Sequence, residues 1–248
     1  MRPLARATTS GGTGVTRERL AMWYDPSNSA CWSGSGTQLA TLYEDDRVDP
    51  EYPGNNFSGT FASNVIQTVG GQTSFKCSGG SDARCQTYIP FQQDWWLDCW
   101  LYFDPNEGFG NIFGTGTTAT SQGLHILLTG SGFSTLRFGM YSNDTDFTHG
   151  MTTGWNHLAF SYLDSSPYTK RTWVNGVEVA GTPLQTQQRW GNSNRLNLFI
   201  GKSYGNPYQA TTTYGTMGIA VARHYLGATA NDAVVLRNYS AERVRFGR

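Results

Sequence analysis

Short stretches in which apolar and polar residues alternate, or in which apolar residues run together, recur along the chain at roughly ten-residue spacing. The densest is Gly154-Trp155-Asn156-His157-Leu158-Ala159-Phe160-Ser161-Tyr162, continued by Lys170-Arg171-Thr172-Trp173-Val174-Asn175-Gly176-Val177-Glu178-Val179-Ala180. The first run is rich in strand formers. In the second, Asn175-Gly176 stands between two runs bearing Val and Trp, and a type I′ turn favours such a pair because both its central residues take positive φ. Residues 155–180 therefore predict three antiparallel strands.

Further strands are predicted at Leu20–Asp25, Phe57–Ala62, Val65–Val69, Thr87–Phe91, Trp95–Phe103, Asn111–Gly114, Leu124–Thr129, Leu136–Tyr141, Leu196–Ile200 and Gly218–Tyr225. So many short strands, with no internal repeat, imply an all-β fold, a two-sheet antiparallel β-sandwich of jelly-roll type. Trp95–Phe103 is apolar on both faces, so it is expected at the centre of a sheet, one face in the core and the other under a loop or partner. Near the end, Asn231-Asp232 offer an N-cap for a short C-terminal helix over residues 233–239.

A chain of 248 residues suits one such sandwich, and 30 Gly with 14 % aromatic and 15 % charged residues fit tight turns around a core of large rings. Residues 1–18 are polar, Gly/Thr-rich and aperiodic, so they read as a flexible arm before a domain over 19–248. The arm carries Arg2, Arg6 and Arg17 and is a candidate docking segment. Eighteen basic and eighteen acidic residues cancel, which argues against nucleic-acid binding. No window of 18 apolar residues is present, so no spanning helix is expected. Residues 1–14 lack an apolar signal-peptide core, and synthesis in a cytoplasm without export is the expectation. Cys77 and Cys85 flank a flexible loop that can bring them together, while Cys31 and Cys99 stand apart; in a reducing compartment, buried free thiols are the simpler reading and a 77–85 disulfide is the alternative.

The chemistry-bearing residues form no catalytic pattern. Glu44-Asp45-Asp46-Arg47-Val48-Asp49-Pro50-Glu51 has two prolines in or beside it and the wrong spacing for acid and nucleophile on one strand. Gly130-Ser131-Gly132 lacks a nucleophile elbow. His125, His149, His157 and His224 are scattered, mostly within predicted strands, and read as structural. A non-enzymatic protein without cofactors is expected. Asn143-Asp144-Thr145-Asp146 alternates acceptors beside a strand end, which makes Asp144 and Asp146 weak calcium candidates. Sugar faces stack on exposed rings beside amide groups, so Trp32, Tyr52, Trp190 with Asn192, and Tyr204 with Tyr208, predicted in loops, are candidate ligand contacts.

The signature Trp155-x-His157-x-Ala159 followed by Val174-Asn175-Gly176 resembles that of laminin-G-like domains of the concanavalin A-like lectin and glucanase superfamily. The opening strand followed by Asp25, Asn28, Trp32 and Gly34-Ser35-Gly36-Thr37 is similar to laminin-G-like domains of tailed-phage virion proteins, and so is the closing run Asn238-Tyr239-Ser240-Ala241-Glu242-Arg243-Val244-Arg245-Phe246. Where those domains continue into Trp-x-Asp-Leu-Ser-Gly, this chain has Leu39-Ala40-Thr41-Leu42-Tyr43. The resemblance implies a concanavalin A-like jelly roll and a structural component of a virion surface, as capsid decoration or tail appendage. It implies other virion proteins as partners and adhesion to glycans as an added role. A free-standing carbohydrate-binding lectin is the alternative, and a laminarinase-type glycoside hydrolase the third. Nothing in the residues fixes an oligomeric state.

Overall fold

The computed structural model describes residues 14–42, 59–61, 65–77, 83–85, 93–106, 110–116, 119–186, 189–190, 198–201 and 217–248. In chain order its strands are β1 (Leu20–Tyr24), β2 (Gln38–Leu39), β3 (Gly59–Thr60), β4 (Ile66–Val69), β5 (Gln72–Lys76), β6 (Ala83–Cys85), β7 (Trp95–Phe103), β8 (Asn111–Gly116) and β9 (Gly123–Thr129). They continue as β10 (Thr135–Met140), β11 (Asp144–Thr148), β12 (Gly154–Leu163), β13 (Tyr168–Val174), β14 (Val177–Glu178), β15 (Leu184–Thr186), β16 (Phe199–Ile200) and β17 (Gly218–Leu226), followed by helix α1 (Asp232–Glu242). Sheet A runs β14-β13-β12-β7-β17-β5-β4, with β1 also on β17 and β15 on β13, and sheet B runs β11-β10-β9-β8-β16-β6-β3-β2. All described pairings are antiparallel. The all-β sandwich with a C-terminal helix is therefore the one the sequence predicts.

Strand β7 lies between β12 and β17, and its period of two sorts its side chains. Trp95, Leu97, Cys99, Leu101 and Phe103 enter the core between the sheets, while Trp96 and Trp100 belong to two smaller apolar clusters on the outer face. The cover for that face is α1 and the tail behind it, rather than a loop or a partner. Val235 packs with Trp96, Trp173 and Tyr225, and Phe246 stacks on Trp100 with ring centroids 4.2 Å apart. Asn231 caps α1 by accepting a bond from the Val234 amide at 3.1 Å, and the helix runs three residues beyond the predicted span.

Under the helix sits a buried polar clamp. Arg223 Nε donates to Asp98 Oδ1 at 2.6 Å, and its two terminal nitrogens donate to Glu242 at 3.1 and 2.9 Å. Trp100 Nε1 donates to Glu242 Oε2 at 2.8 Å, and Asn238 Nδ2 donates to Asp98 Oδ2 at 2.6 Å. The Asp98 and Arg223 side chains are fully buried. Burial pushes the Asp98 carboxyl up, yet the charges and hydrogen bonds of Arg223 and His157 outweigh it and hold the pKa below the usual carboxylate value. The arm joins the clamp: Asn238 Oδ1 accepts from the Thr16 amide at 2.7 Å, and the Tyr225 hydroxyl donates to the Thr16 carbonyl at 3.1 Å. Thr16 is thereby packed against the domain.

Two sequence readings change. Strand β5 was not expected; Gly70 and Gly71, at φ 51° and 73°, turn the chain so that Gln72–Lys76 pairs with β4. Strand β11 occupies the stretch read as alternating acceptors beside a strand end, for which no strand was predicted. Cys31, Cys77 and Cys99 are free and buried, which is the simpler of the two sequence readings. The predicted strand Thr87–Phe91 and the acidic cluster 44–51 lie outside the described residues. The three-stranded hairpin stands as expected, with Asn175 and Gly176 at φ 52° and 82°.

Lys170 of β13 ties the sheets together. Its ammonium donates to the carbonyls of Phe138 on β10 and Asn143 beside β11. Burial pushes its pKa down to about 8, against the opposing pull of Asp144. An unfolded lysine keeps its proton to about pH 10.4, so between roughly pH 8 and 10.4 the unfolded chain holds more protons at this position than the folded one. This lysine therefore adds stability as pH rises through that window, by at most ~3 kcal/mol. Urea midpoints taken across the window should rise more steeply with pH in the wild type than in Lys170→Met, and parallel curves would contradict the assignment.

Candidate functional site

Sheet A is covered outside by α1; on the outer face of sheet B the β8 and β9 side chains Asn111, His125 and Leu127 are buried, and the partly exposed charged groups lie at the β10–β11 edge. Leu124, Ile126 and Leu128 of β9 point into the core, so His125 and Leu127 point outward. The registers place Gly139 and Arg137 of β10 opposite them, Gly114 and Asn111 of β8 on the other side, and Asp144 and Asp146 of β11 beyond β10. Two rows cross the face: Asp144, Gly139, His125, Gly114 and, beside it, Asp146, Arg137, Leu127, Asn111.

His125 Nε2 and Asp144 Oδ1 meet at 2.9 Å directly over Gly139, and His125 Nδ1 lies 3.1 Å from the Gly123 carbonyl. A side chain at position 139 cannot coexist with this pair, because its Cβ would stand 2.1 Å from Nε2 and 2.5 Å from Oδ1. In the second row Arg137 donates to both oxygens of Asp146 at 2.7 and 2.8 Å, and Nη1 is 3.4 Å from Asp144 Oδ2. Asp146 is 43 % and Asp144 26 % exposed at the side chain, so carboxylate oxygens reach solvent. Asn111 is 1 % exposed, and neither atom of its amide has a hydrogen-bond partner.

Asp144 and Asp146 form a pair at alternating positions on one strand, which sequence reading had not expected anywhere in the chain. The pair lacks the character of a glycosidase acid. Burial raises the Asp144 pKa, but the His125 hydrogen bond and the charges of His125, Arg137 and Lys170 outweigh it and hold the group below its ordinary value. A general acid needs the opposite shift. The two carboxylates also do not fit calcium: both face the Arg137 guanidinium, and among the described residues no group of three or more His, Cys, Asp or Glu is arranged to hold a metal ion.

The aromatic candidates fare differently. Trp190 is not an exposed platform; it is wholly buried, and its amide donates to the Tyr162 hydroxyl at 3.0 Å. Trp32 is half-buried, packed edge-on against Phe61 at 6.3 Å, with Nε1 donating to the Gly36 carbonyl. Tyr52, Asn192, Tyr204 and Tyr208 lie outside the described residues. The signature residues are structural. Trp155 Nε1 donates to the Gly70 carbonyl at 3.0 Å, His157 is buried beside Trp100, and Asn175 Oδ1 accepts from the His157 amide at 2.9 Å. His149 donates to the Phe133 carbonyl and accepts from the Met151 amide, and burial lowers its pKa. His224 is pushed down to about 3 by burial. Gly139 and Asn111 were missed, since neither carries a signal until the strands pair.

This sandwich matches the family model described as the concanavalin A-like lectin/glucanases superfamily over residues 71–217, more than half of the chain. The protein belongs to that superfamily. Among solved structures it is similar to domain 4 of AbnA, an extracellular arabinanase from Geobacillus stearothermophilus, in complex with arabinotriose. The TM-score is 0.54 at 16 % identity, over 90 % of this chain and 100 % of that one. It is also similar to Trypanosoma rangeli sialidase in complex with 2,3-difluorosialic acid, with a TM-score of 0.59 at 13 % identity over 97 % of this chain and 36 % of that one. A third likeness is to the binding domain of botulinum neurotoxin serotype D/C, with a TM-score of 0.61 at 12 % identity over 90 % and 52 %. The chain thus spans about a third of the sialidase and about half of the toxin domain. At these identities the likeness shows the fold. No curated protein sequence matches the chain.

Proposed function

We propose that the protein is a non-catalytic glycan-binding module that works through the outer face of sheet B. The observation that carries this reading is the polar edge of β10–β11: solvent-reaching carboxylates held in place by Arg137 and His125, with Gly139 making room for the His125–Asp144 contact. Fixed carboxylates and amides suit hydroxyl groups, and a sugar presents several of these at set spacing. The arabinanase domain with its arabinotriose agrees with this use of the fold. The absence of catalysis rests on the lowered Asp144 and its salt-bridged neighbour. Binding to a glycan array, with no release of reducing ends from laminarin, is the expected result; hydrolysis lost on replacing Asp144 or Asp146 with Asn would overturn it.

A virion-surface setting, as capsid decoration or tail component, is the finer reading. It is supported by the resemblance of the closing run to tailed-phage proteins, and that run is the clamp: Asn238 bonds Asp98, Phe246 stacks on Trp100, and Arg245 pairs with Asp25. Capsid and tail proteins are the partners of this reading. Antibody labelling of purified particles in the electron microscope tests it, and particles without label would sink it.

A further inference from the structure

We infer that the outer side of α1 is an interface for a second copy of this chain, the two helices antiparallel, so that Asp232 of each copy meets the partner's Arg243 across a centre formed by Leu236 and Val177. This goes beyond the glycan-binding reading and does not depend on it. Two observations carry it.

The first is where apolar surface is exposed. Among the described residues three large apolar side chains stand in solvent: Val177 is 70 %, Leu236 51 % and Val244 84 % exposed. All three lie on or beside α1. Leu236 sits over the turn between β13 and β14, where a Cβ added to Gly176 would stand 3.1 Å from Leu236 Cδ1, and Val177 follows directly in β14. Val244 belongs to the turn that continues α1, its carbonyl accepting from the Gly247 amide. Val235 and Asn238 hold the opposite side of the helix against sheet A. Single exposed aliphatic residues are ordinary, whereas a group gathered on one face marks an interaction surface.

The second is charge, and it selects the partner. A helix turns once in about 3.6 residues, so positions 232, 236 and 243 fall on one stripe about three turns long. Arg243, the C-cap residue, keeps helical dihedrals and so stays on it. The stripe is acidic at its start and basic at its end. Asp232 is 71 % exposed at the side chain; Trp173 Nε1 and Arg171 Nη2 donate to its Oδ1 at 2.9 and 3.3 Å, which leaves Oδ2 for a further donor. Arg243 is exposed and has no ion pair among the described residues. Such a stripe complements itself when one copy is turned end for end. A two-fold axis midway along it sets Asp232 against the partner's Arg243 at both ends and brings the two Leu236 side chains alongside each other. Parallel docking would set like charges together. The polar edge at β10–β11 belongs to sheet B, the other layer of the sandwich, and stays free in this dimer.

Sedimentation velocity of the full chain between about 1 and 500 μM should show a monomer passing to a dimer, because a contact of this size lies at the small end of specific interfaces. A monomer throughout the range would overturn the inference and leave the face to another partner or to water. Leu236→Glu, at an exposed helical position, should keep the melting temperature and weaken the dimer about a hundredfold or more. An unchanged dimer in that variant would overturn the inference by placing the contact elsewhere. The orientation has its own test. Asp232→Arg alone and Arg243→Asp alone, each confirmed as folded by circular dichroism, should stay monomeric where the wild type is dimeric. An equimolar mixture of the two should dimerise, because each copy then meets the opposite charge at both ends. A mixture that stays monomeric, or single variants that dimerise like the wild type, would overturn the antiparallel arrangement.

Discussion

Asp98→Ala should destabilise the domain by about 3–5 kcal/mol, the usual cost of removing one partner from a buried ion pair. The substitution leaves the Arg223 guanidinium, fully buried, with Glu242 as its remaining partner, and it strips Asn238 of the carboxylate that orients it. Since Asn238 also holds Thr16 and the Tyr225 hydroxyl, the loss spreads to both ends of the chain. The contribution has a pH signature. The Asp98 pKa is lowered by folding, so its stabilisation is complete above the unfolded value near pH 4 and is lost as pH falls below it. Denaturant unfolding at pH 7 measures the first effect. A loss below about 1 kcal/mol would mean that the helix is held by apolar packing and the clamp is incidental.

Gly139→Val should abolish ligand binding while the sandwich stays folded. The added Cβ falls on the His125–Asp144 contact, and both groups are side-chain ends that can swing aside, so the fold cost is about 1–3 kcal/mol. The face itself is lost: Asp144 leaves its place, Arg137 loses one carboxylate neighbour, and affinity should drop about a hundredfold. Titration calorimetry against the best array ligand reads the loss, and far-ultraviolet circular dichroism reads the fold. Retained binding in the folded variant would move the site off this face.

How much of this was legible beforehand differs by element and for physical reasons. Strand β7 and the β12–β14 hairpin declared themselves because their signals are local: a continuous apolar run in one, and a turn pair with positive φ in the other. Strand β5 did not, because Gln72–Lys76 is mostly polar and has Phe75 as its one large apolar residue. Strand β11 was hidden by its own position. It is the edge of sheet B, and edges are often charged to prevent further pairing, so its aspartates imitate a loop. The site was half visible. Asp144 and Asp146 stood out as acceptors, but their meaning depends on Arg137 and His125, which reach them only through strand pairing. The clamp left a trace that could have been followed: Asp98 and Arg223 are single charges inside strands otherwise apolar, and a buried charge requires a partner. The buried Trp190 shows the converse, since a loop aromatic reads as exposed until the residue that covers it is known.

Amide hydrogen exchange, recorded with and without the tightest glycan of the array at saturation, tests the position of the site most directly. Slowed exchange concentrated in residues 111–148, with α1 and the clamp unchanged, is the expected result. Protection centred on α1 or on the 155–180 hairpin, with residues 111–148 unaffected, would contradict it.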